Sequence, residues 1–288
     1  NEGFIWIVDI DLEKFFDNVP QDKLMSYAHE IINDGDVESL IRRYLQAGVM
    51  ENGAYQETNE GTVQGNPISP LLSNIILNKL DKELEARNLR FTRYADDVVI
   101  VTKSKASANR VMHSITKWIE RKLGLKVNAT KTKITTPTKL IYLGFGFYYN
   151  NAQKAYKSRP HQESIQSFKR KLKQLTIRKY SMTVSDRIRQ LNQKIRGWIN
   201  YFSICDMKMA MKEIDQHLRT RLRAIIWKQW KVPSRRQWGL QKLGIGKDLA
   251  RLTSYLGNRY QWIATKTCVV RAISKRILAK KGLISCLD

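Results

Sequence analysis

Phe91-Thr92-Arg93-Tyr94-Ala95-Asp96-Asp97-Val98-Val99-Ile100-Val101 is the stretch whose reading decides the fold. Phe91–Tyr94 and Val98–Val101 are β-prone runs flanking a two-residue Asp-Asp turn, so together they predict a hairpin. Working outward, Phe4–Asp9 (FIWIVD) predicts a buried strand, and Val49–Gln56 predicts another hairpin. The latter turns on Asn52-Gly53, a pair suited to a type I′ turn. Lys126–Ile134 and Leu140–Tyr149 also read as strands. Gln21–Ile32, Val37–Ala47 and Ala106–Leu123 predict helices, and Leu71, Leu72, Ile75, Ile76, Leu80 and Leu84 mark one face of a further helix. A Gly/Pro-punctuated loop, Gly61–Pro70, precedes that last helix. Strand pairs closed by hairpins run antiparallel, which favours a mixed layer with a largely antiparallel sheet over a doubly wound parallel one.

From about Pro160 the apolar period becomes helical. Ser164–Leu175 is one predicted helix. Val184, Ile188, Leu191, Ile195, Ile199 and Phe202 mark a second, and Met209–Trp230 is a third. Gly239–Gly246 reads as a hinge before a small basic module. The chain has 288 residues and is 42% hydrophobic, enough to bury a core and to form two domains. No run approaches the ~20 apolar residues of a membrane span. Three Cys and four His are scattered without metal-ligand spacing, which argues against a zinc module or a disulfide framework and fits a cytosolic compartment.

Charge divides the chain. Residues 1–150 carry equal numbers of acidic and basic side chains, so the whole net charge of +25 falls in 151–288. An excess of that size on a folded segment points to a polyanionic partner, because phosphate backbones release counterions on meeting it.

The acidic residues of the neutral half carry the chemistry. Asp9-Ile10-Asp11 ends one predicted strand, and Asp96-Asp97 sits at a hairpin tip. Crowded carboxylates raise one another's pKa unless cations neutralise them. Hard oxygen donors suit Mg²⁺, and a pair of such ions can clamp the attacking and leaving oxygens of a phosphoryl displacement. An Asp-Asp pair is also ordinary turn chemistry, so the pair gains meaning from its company.

That company is Asp11-Leu12-Glu13-Lys14-Phe15-Phe16-Asp17, Gln64-Gly65-Asn66-Pro67-Ile68-Ser69-Pro70, Gly124–Thr132 (GLKVNATKT) and Tyr142-Leu143-Gly144-Phe145. In this order and spacing the segments resemble the palm motifs of reverse transcriptases, most closely those encoded by group II introns. Ile195–Phe202 (IRGWINYF) resembles the core of the maturase, or thumb, domain of those proteins. Leu243-Gly244-Ile245 and Lys281–Ser285 (KGLIS) resemble their C-terminal module.

The resemblance implies an α+β fold: a polymerase-type palm with a mainly antiparallel sheet and packed helices, followed by an all-α thumb/maturase domain. The implied boundaries are 1–155 for the palm, 156–232 for the thumb and 233–288 for a basic nucleic-acid-binding module. It implies RNA-directed DNA polymerisation by two-metal nucleotidyl transfer, with Asp11, Asp96 and Asp97 as catalytic metal ligands for two Mg²⁺ ions, or Mn²⁺ in their place. Asp9 reads as close to the site but out of phase with Asp11 along the strand. Phe16 would lie under the incoming sugar and exclude a 2′-hydroxyl, with Phe15 as core by strand alternation; both rings as core is the alternative. Gln64 and Gly65 would pack on nucleotide and template, or simply cap a helix. Lys131 would face the triphosphate, or only solvent. Tyr142, Leu143, Gly144 and Phe145 would form a primer-gripping hairpin.

In the basic half, Arg219, Arg221, Arg223, Lys228 and Lys231 are the residues expected to contact RNA, whereas Trp198 is expected in the core. The implied partners are structured intron RNA, an RNA template/DNA primer duplex and dNTPs, with no membrane, in the bacterial cytoplasm at the nucleoid. The sequence opens at Asn1, just before the first palm motif. It is therefore expected to be a fragment lacking the upstream fingers and to polymerise poorly alone. Without a His/Cys-rich module after Asp288, DNA cutting is not expected. A maturase-type RNA binder without polymerase activity is the second reading; a palm-type cyclase is a third, disfavoured by Gln64-Gly65, Tyr142–Phe145 and the basic half.

Overall fold

The computed structural model describes residues 2–51, 54–56, 60–62 and 66–287. The chain forms two compact units: Asn1–Tyr142 with Asn151–Tyr156, and Leu143–Asn150 with Lys157–Asp288.

The first unit contains β1 (Trp6–Ile10), α1 (Gln21–His29), α2 (Gly35–Leu45), β2 (Val49–Glu51), β3 (Ala54–Gln56), α3 (Ser69–Ala86), β4 (Arg90–Tyr94), β5 (Asp97–Thr102), α4 (Lys105–Trp118), β6 (Lys133–Thr135) and β7 (Ile141–Tyr142). Its main sheet has the order β4-β5-β1-β6, and each pairing is antiparallel. Alternation along β1 sorts its side chains. Val8 and Ile10, with their cross-strand partners Ile100 and Val98, join the core that α3 and α4 cover. Leu72, Ile76, Leu80 and Leu84 supply the apolar face of α3. Ser104 caps α4 by accepting from the Ser107 amide, and Asp34 caps α2 by accepting from Asp36 and Val37.

Several expectations shift here. The hairpin turn is Ala95-Asp96, not Asp96-Asp97; Asp97 opens β5 opposite Tyr94. Ala95 takes the left-handed φ of +52° that the tight reversal needs. Lys126–Ile134 is not one strand, because Asn128 folds the chain into a side-chain-bonded turn before β6. Phe15 and Phe16 lie in a 3₁₀ turn, Phe15–Asp17, and not on a strand. The strands of the Val49–Gln56 hairpin pair as expected, but Asn52-Gly53 falls outside the described residues.

The three strands β7, β8 (Phe145–Asn150) and β9 (Ala155–Pro160), adjacent in that order in a small sheet, carry the chain from the first unit into the second. The polar run of β9 gave no strand signal. Helices α5 (Gln162–Leu175), α6 (Val184–Tyr201), α7 (Lys208–Gln229), α8 (Pro233–Lys242), α9 (Lys247–Ser254), α10 (Tyr260–Ile263), α11 (Thr267–Ala272) and α12 (Lys275–Lys280) follow. One core, from Phe168 through Trp227 to Cys286, runs through them. The stretch Gly239–Gly246 runs from the end of α8 into its connection to α9. Gly239 is buried inside α8, where a Cβ would stand 2.6 Å from the Trp230 ring, so it serves close packing.

Candidate active site and nucleic-acid contacts

The site grows from the β1–β5 register. Ile10 faces Val98 and Asp9 faces Val99, so the chain leaves this ladder with Asp11 next on one strand and Asp97 next on the other. Asp9, Asp11 and Asp97 alternate with the core residues Val8, Ile10 and Val98, which turns their carboxylates to the sheet face opposite the helical core. Electrostatics agree. Burial pushes the Asp97 carboxyl above the usual carboxylate range, and the charges of Asp96 and Asp11 add to the rise. Burial also raises Asp9; Lys133 offsets part of this, while Asp97 and Asp11 reinforce it. Asp9 is thus in phase with Asp11, two positions along, contrary to the sequence reading.

Asp11 is held by the segment after α4. Its carbonyl accepts from the Asn128 amide at 2.8 Å, and its amide donates to Thr132 Oγ1 at 3.2 Å. The Asn128 side chain accepts from the Thr130 and Lys131 amides, closing a turn that sets Lys131 Nζ 3.6 Å from Asp11 Oδ2. Lys133 Nζ stands 3.9 Å from Asp9 Oδ2. The Ala95-Asp96 turn has its own brace. Arg93 makes a two-pronged pair with Asp81 of α3, at 2.7 and 2.5 Å, and donates to the Ala95 carbonyl at 3.0 Å and to Asn74 at 3.1 Å. Sequence reading missed Asp81, Asn74, Arg93 and Thr132. Only the i, i+2 spacing of Asp9 with Asp11, and of Lys131 with Lys133, left a signal.

The donor set suits a hard divalent ion: carboxylate oxygens, with burial first and neighbouring carboxylates second raising the pKa of Asp9 and Asp97. Among the described residues no three His, Cys, Asp or Glu side chains close into a metal cage. The cluster is an open one, of the kind Mg²⁺ completes with waters and phosphate oxygens.

Phe15 is buried, whereas Phe16 is partly exposed and meets it edge-on at 5.3 Å. The Phe16 carbonyl accepts from the Thr62 amide at 2.6 Å. Gln64 and Gly65 lie outside the described residues. Leu143 and Gly144 both take positive φ (+51° and +77°), the signature of a two-residue hairpin turn. In the second unit the Leu143 carbonyl accepts from the Tyr201 hydroxyl at 2.9 Å, and Phe145 packs on the Tyr201 and Phe202 rings. Burial raises the pKa of the Tyr142 hydroxyl, and the Asp97 charge adds to the rise.

The cations expected to meet RNA are not alike. Arg223 is buried and donates from Nε to the Ile273 carbonyl at 2.9 Å, so its guanidinium is turned into the core. Arg219 pairs with buried Asp215 at 3.2 Å. Arg221 donates to Thr176 Oγ1 and to the Lys173 and Thr176 carbonyls. Lys228, which donates to the Arg178 carbonyl, and Lys231 are exposed. Trp198 stacks on Phe168 at 4.7 Å, as a core ring should, whereas Trp238 and Trp262 lie at the surface under Lys242 and Lys266.

Residues 1–147 match the reverse transcriptase (RNA-dependent DNA polymerase) family. The chain belongs to that family. Residues 165–244 match the group II intron maturase-specific domain, so the palm-plus-maturase resemblance holds across both units. Among curated relatives, Protein YkfC of Escherichia coli (strain K12) is 30% identical over 45% of this chain and 43% of its own length. The group II intron-encoded protein LtrA of Lactococcus lactis subsp. cremoris is 32% identical over 46% of this chain and 21% of its own. The chain therefore spans less than half the length of either. Apo telomerase from Candida Tropicalis overlays 96% of this chain and 51% of its own, at 13% identity and a TM-score of 0.49. Among the described residues no helix is long and apolar enough to cross a membrane.

Proposed function

We propose that this chain is the polymerising and RNA-holding part of a group II intron-type reverse transcriptase, which extends a DNA primer along an RNA template with dNTPs. The observation that carries the reading is the single sheet face shared by Asp9, Asp11 and Asp97, with Asp96 beside them. Asp11, Asp96 and Asp97 would hold two Mg²⁺ ions, with Mn²⁺ a workable substitute. When bound, such ions acidify the primer 3′-hydroxyl and neutralise triphosphate charge. The 3′-hydroxyl oxygen would bond to the α-phosphorus while the α–β phosphoanhydride bond breaks, pyrophosphate leaving and the hydroxyl proton passing to water. Lys131, which the Asn128 turn holds near Asp11, would offset charge on that leaving group. Phe16 is the ring against which the incoming sugar would rest; for Gln64 and Gly65, contact with nucleotide and template is proposed from the motif alone. Tyr142–Phe145 would brace the primer end.

The second unit would hold structured intron RNA through its exposed cations, Lys228 and Lys231 among them. This reading sets the protein in the bacterial cytoplasm, at the nucleoid. The division into palm (1–155), thumb (156–232) and C-terminal module (233–288) is part of the same proposal. The maturase match and the +25 concentrated in residues 151–288 also favour a second reading, an RNA-binding splicing maturase without polymerase activity of its own.

Primer extension on an annealed RNA template separates the two readings. Extension that disappears in Asp97→Ala while RNA affinity persists is the expected result. Extension unchanged by Asp97→Ala removes the polymerase reading, and absence of extension in both proteins with intact RNA binding leaves the maturase reading. Phe16→Ala should raise ribonucleotide incorporation relative to deoxyribonucleotide; an unchanged ratio refutes the gate.

A further inference from the structure

The second unit contains a cationic pocket that the polymerase chemistry does not use. It lies between the α5–α6 loop and the C-terminal end of α7, with a volume of about 380 Å³. That is within the ~300–1,000 Å³ range of small-molecule sites. Arg178, Arg187, Lys228 and Lys231 line it, and no carboxylate does. The floor is buried Arg187 and Ile225; the rim, including Tyr180, is exposed.

The floor arginine is the telling residue. Its Nη1 donates to the Leu175 carbonyl and its Nη2 to the Tyr180 carbonyl, but its Nε is buried with no acceptor among the described residues. A buried cation balanced only by carbonyl dipoles is costly, and burial already pulls its pKa down. The pocket around it is also built. Lys228 donates to the Arg178 carbonyl at 2.8 Å and Gln229 to the Met182 carbonyl at 3.2 Å, which fixes the loop forming one wall. Four cations around a space of this size, with no carboxylate among them, suit an anion that carries more than one acceptor oxygen.

We propose that this pocket binds a single phosphate group carried by a nucleotide, either free or extruded from an RNA strand. The phosphate supplies the counter-charge that Arg187 lacks, with Arg178 and Lys231 at the rim. The exposed Tyr180 ring offers a stacking face to the attached base. The inference builds on the proposed RNA contact at Lys228 and Lys231, but it asks for an enclosed phosphate where a flat basic surface would only track a backbone.

Calorimetric titration of the full chain tests it, with AMP, adenosine, inorganic phosphate and a short single-stranded RNA as probes. AMP should bind at least tenfold more tightly than adenosine, and Arg178→Ala or Lys231→Ala should each weaken it about tenfold, with Lys103→Ala as an inert surface control. These rim variants leave the buried floor intact, so a folding failure at Arg187 cannot obscure the answer. AMP or phosphate binding that responds to the rim variants identifies a free nucleotide as ligand; a response confined to the RNA strand identifies an extruded one. AMP that binds measurably but no more tightly than adenosine, or rim variants no weaker than Lys103→Ala for every probe, overturns the pocket. RNA affinity that persists in that case leaves the broader RNA contact standing.

Discussion

Asp9 and Asp97 are acids whose carboxyl groups bind protons more tightly in the folded protein than in the unfolded chain. Their contribution to stability is therefore fully present below the ordinary carboxylate pKa. It falls away as pH rises through the raised folded values, leaving crowded charge at neutral pH. Asp97→Asn should accordingly melt higher than wild type at pH ~7. The gain should not exceed about 1 kcal/mol, because solvent screens a partly exposed cluster. The difference should vanish below pH ~3, where the wild-type carboxyl is protonated in both states. Thermal melts across pH measure this, and a variant that melts lower at neutral pH contradicts the cost of ionising a carboxyl that burial, then its acidic neighbours, disfavour. Mg²⁺ should raise the wild-type melting temperature more than that of Asp97→Asn.

The catalytic turn is positioned by contacts between elements. Arg93 ties β4 to α3 through Asp81 and holds the Ala95 carbonyl from the same guanidinium. Arg93→Ala should cost about 2–3 kcal/mol in denaturant unfolding, since it strands a half-buried carboxylate. Arg93→Lys should recover little of it, because an ammonium cannot make the two-pronged pair. Gly61 is the comparable joint beneath Phe16. It takes φ +85°, and a Cβ there would lie 2.7 Å from the Phe16 and Asp17 carbonyl oxygens. Gly61→Ala should cost about 2 kcal/mol or more and should disturb the sugar discrimination ascribed to Phe16. Normal stability in unfolding, or an unchanged dNTP-to-rNTP ratio, would count against that linkage.

Each unit of the whole molecule has its own core, and the second is fastened at its C-terminal end by Asp215. That buried carboxylate accepts from Ser285 Oγ at 2.6 Å and the Cys286 amide at 2.9 Å, and pairs with Arg219. Asp215→Ala should cost about 3 kcal/mol or more, read as earlier unfolding of the second unit's tryptophan signal. RNA affinity of the whole chain should fall linearly with salt on logarithmic axes. Charge removal at Lys228 and Lys231 should flatten that slope, and the pair Lys103 and Lys105 should not. Arg223→Ala is a poor probe of RNA contact, because it deletes a core hydrogen bond. Residue order alone made the antiparallel palm and the helical basic half legible, while Asp11, Asp96 and Asp97 were singled out by the resemblance of their motifs and Asp9 was set apart from them. Local periodicity writes the first two directly into runs such as Val98–Val101 and Val184–Phe202. The tertiary structure decided which carboxylates share a face, which arginines are spent inside the core, and what braces the turn. Those outcomes depend on cross-strand register and on partners far apart in the chain, such as Asp11 with Thr132 or Arg223 with Ile273, and no local pattern encodes them.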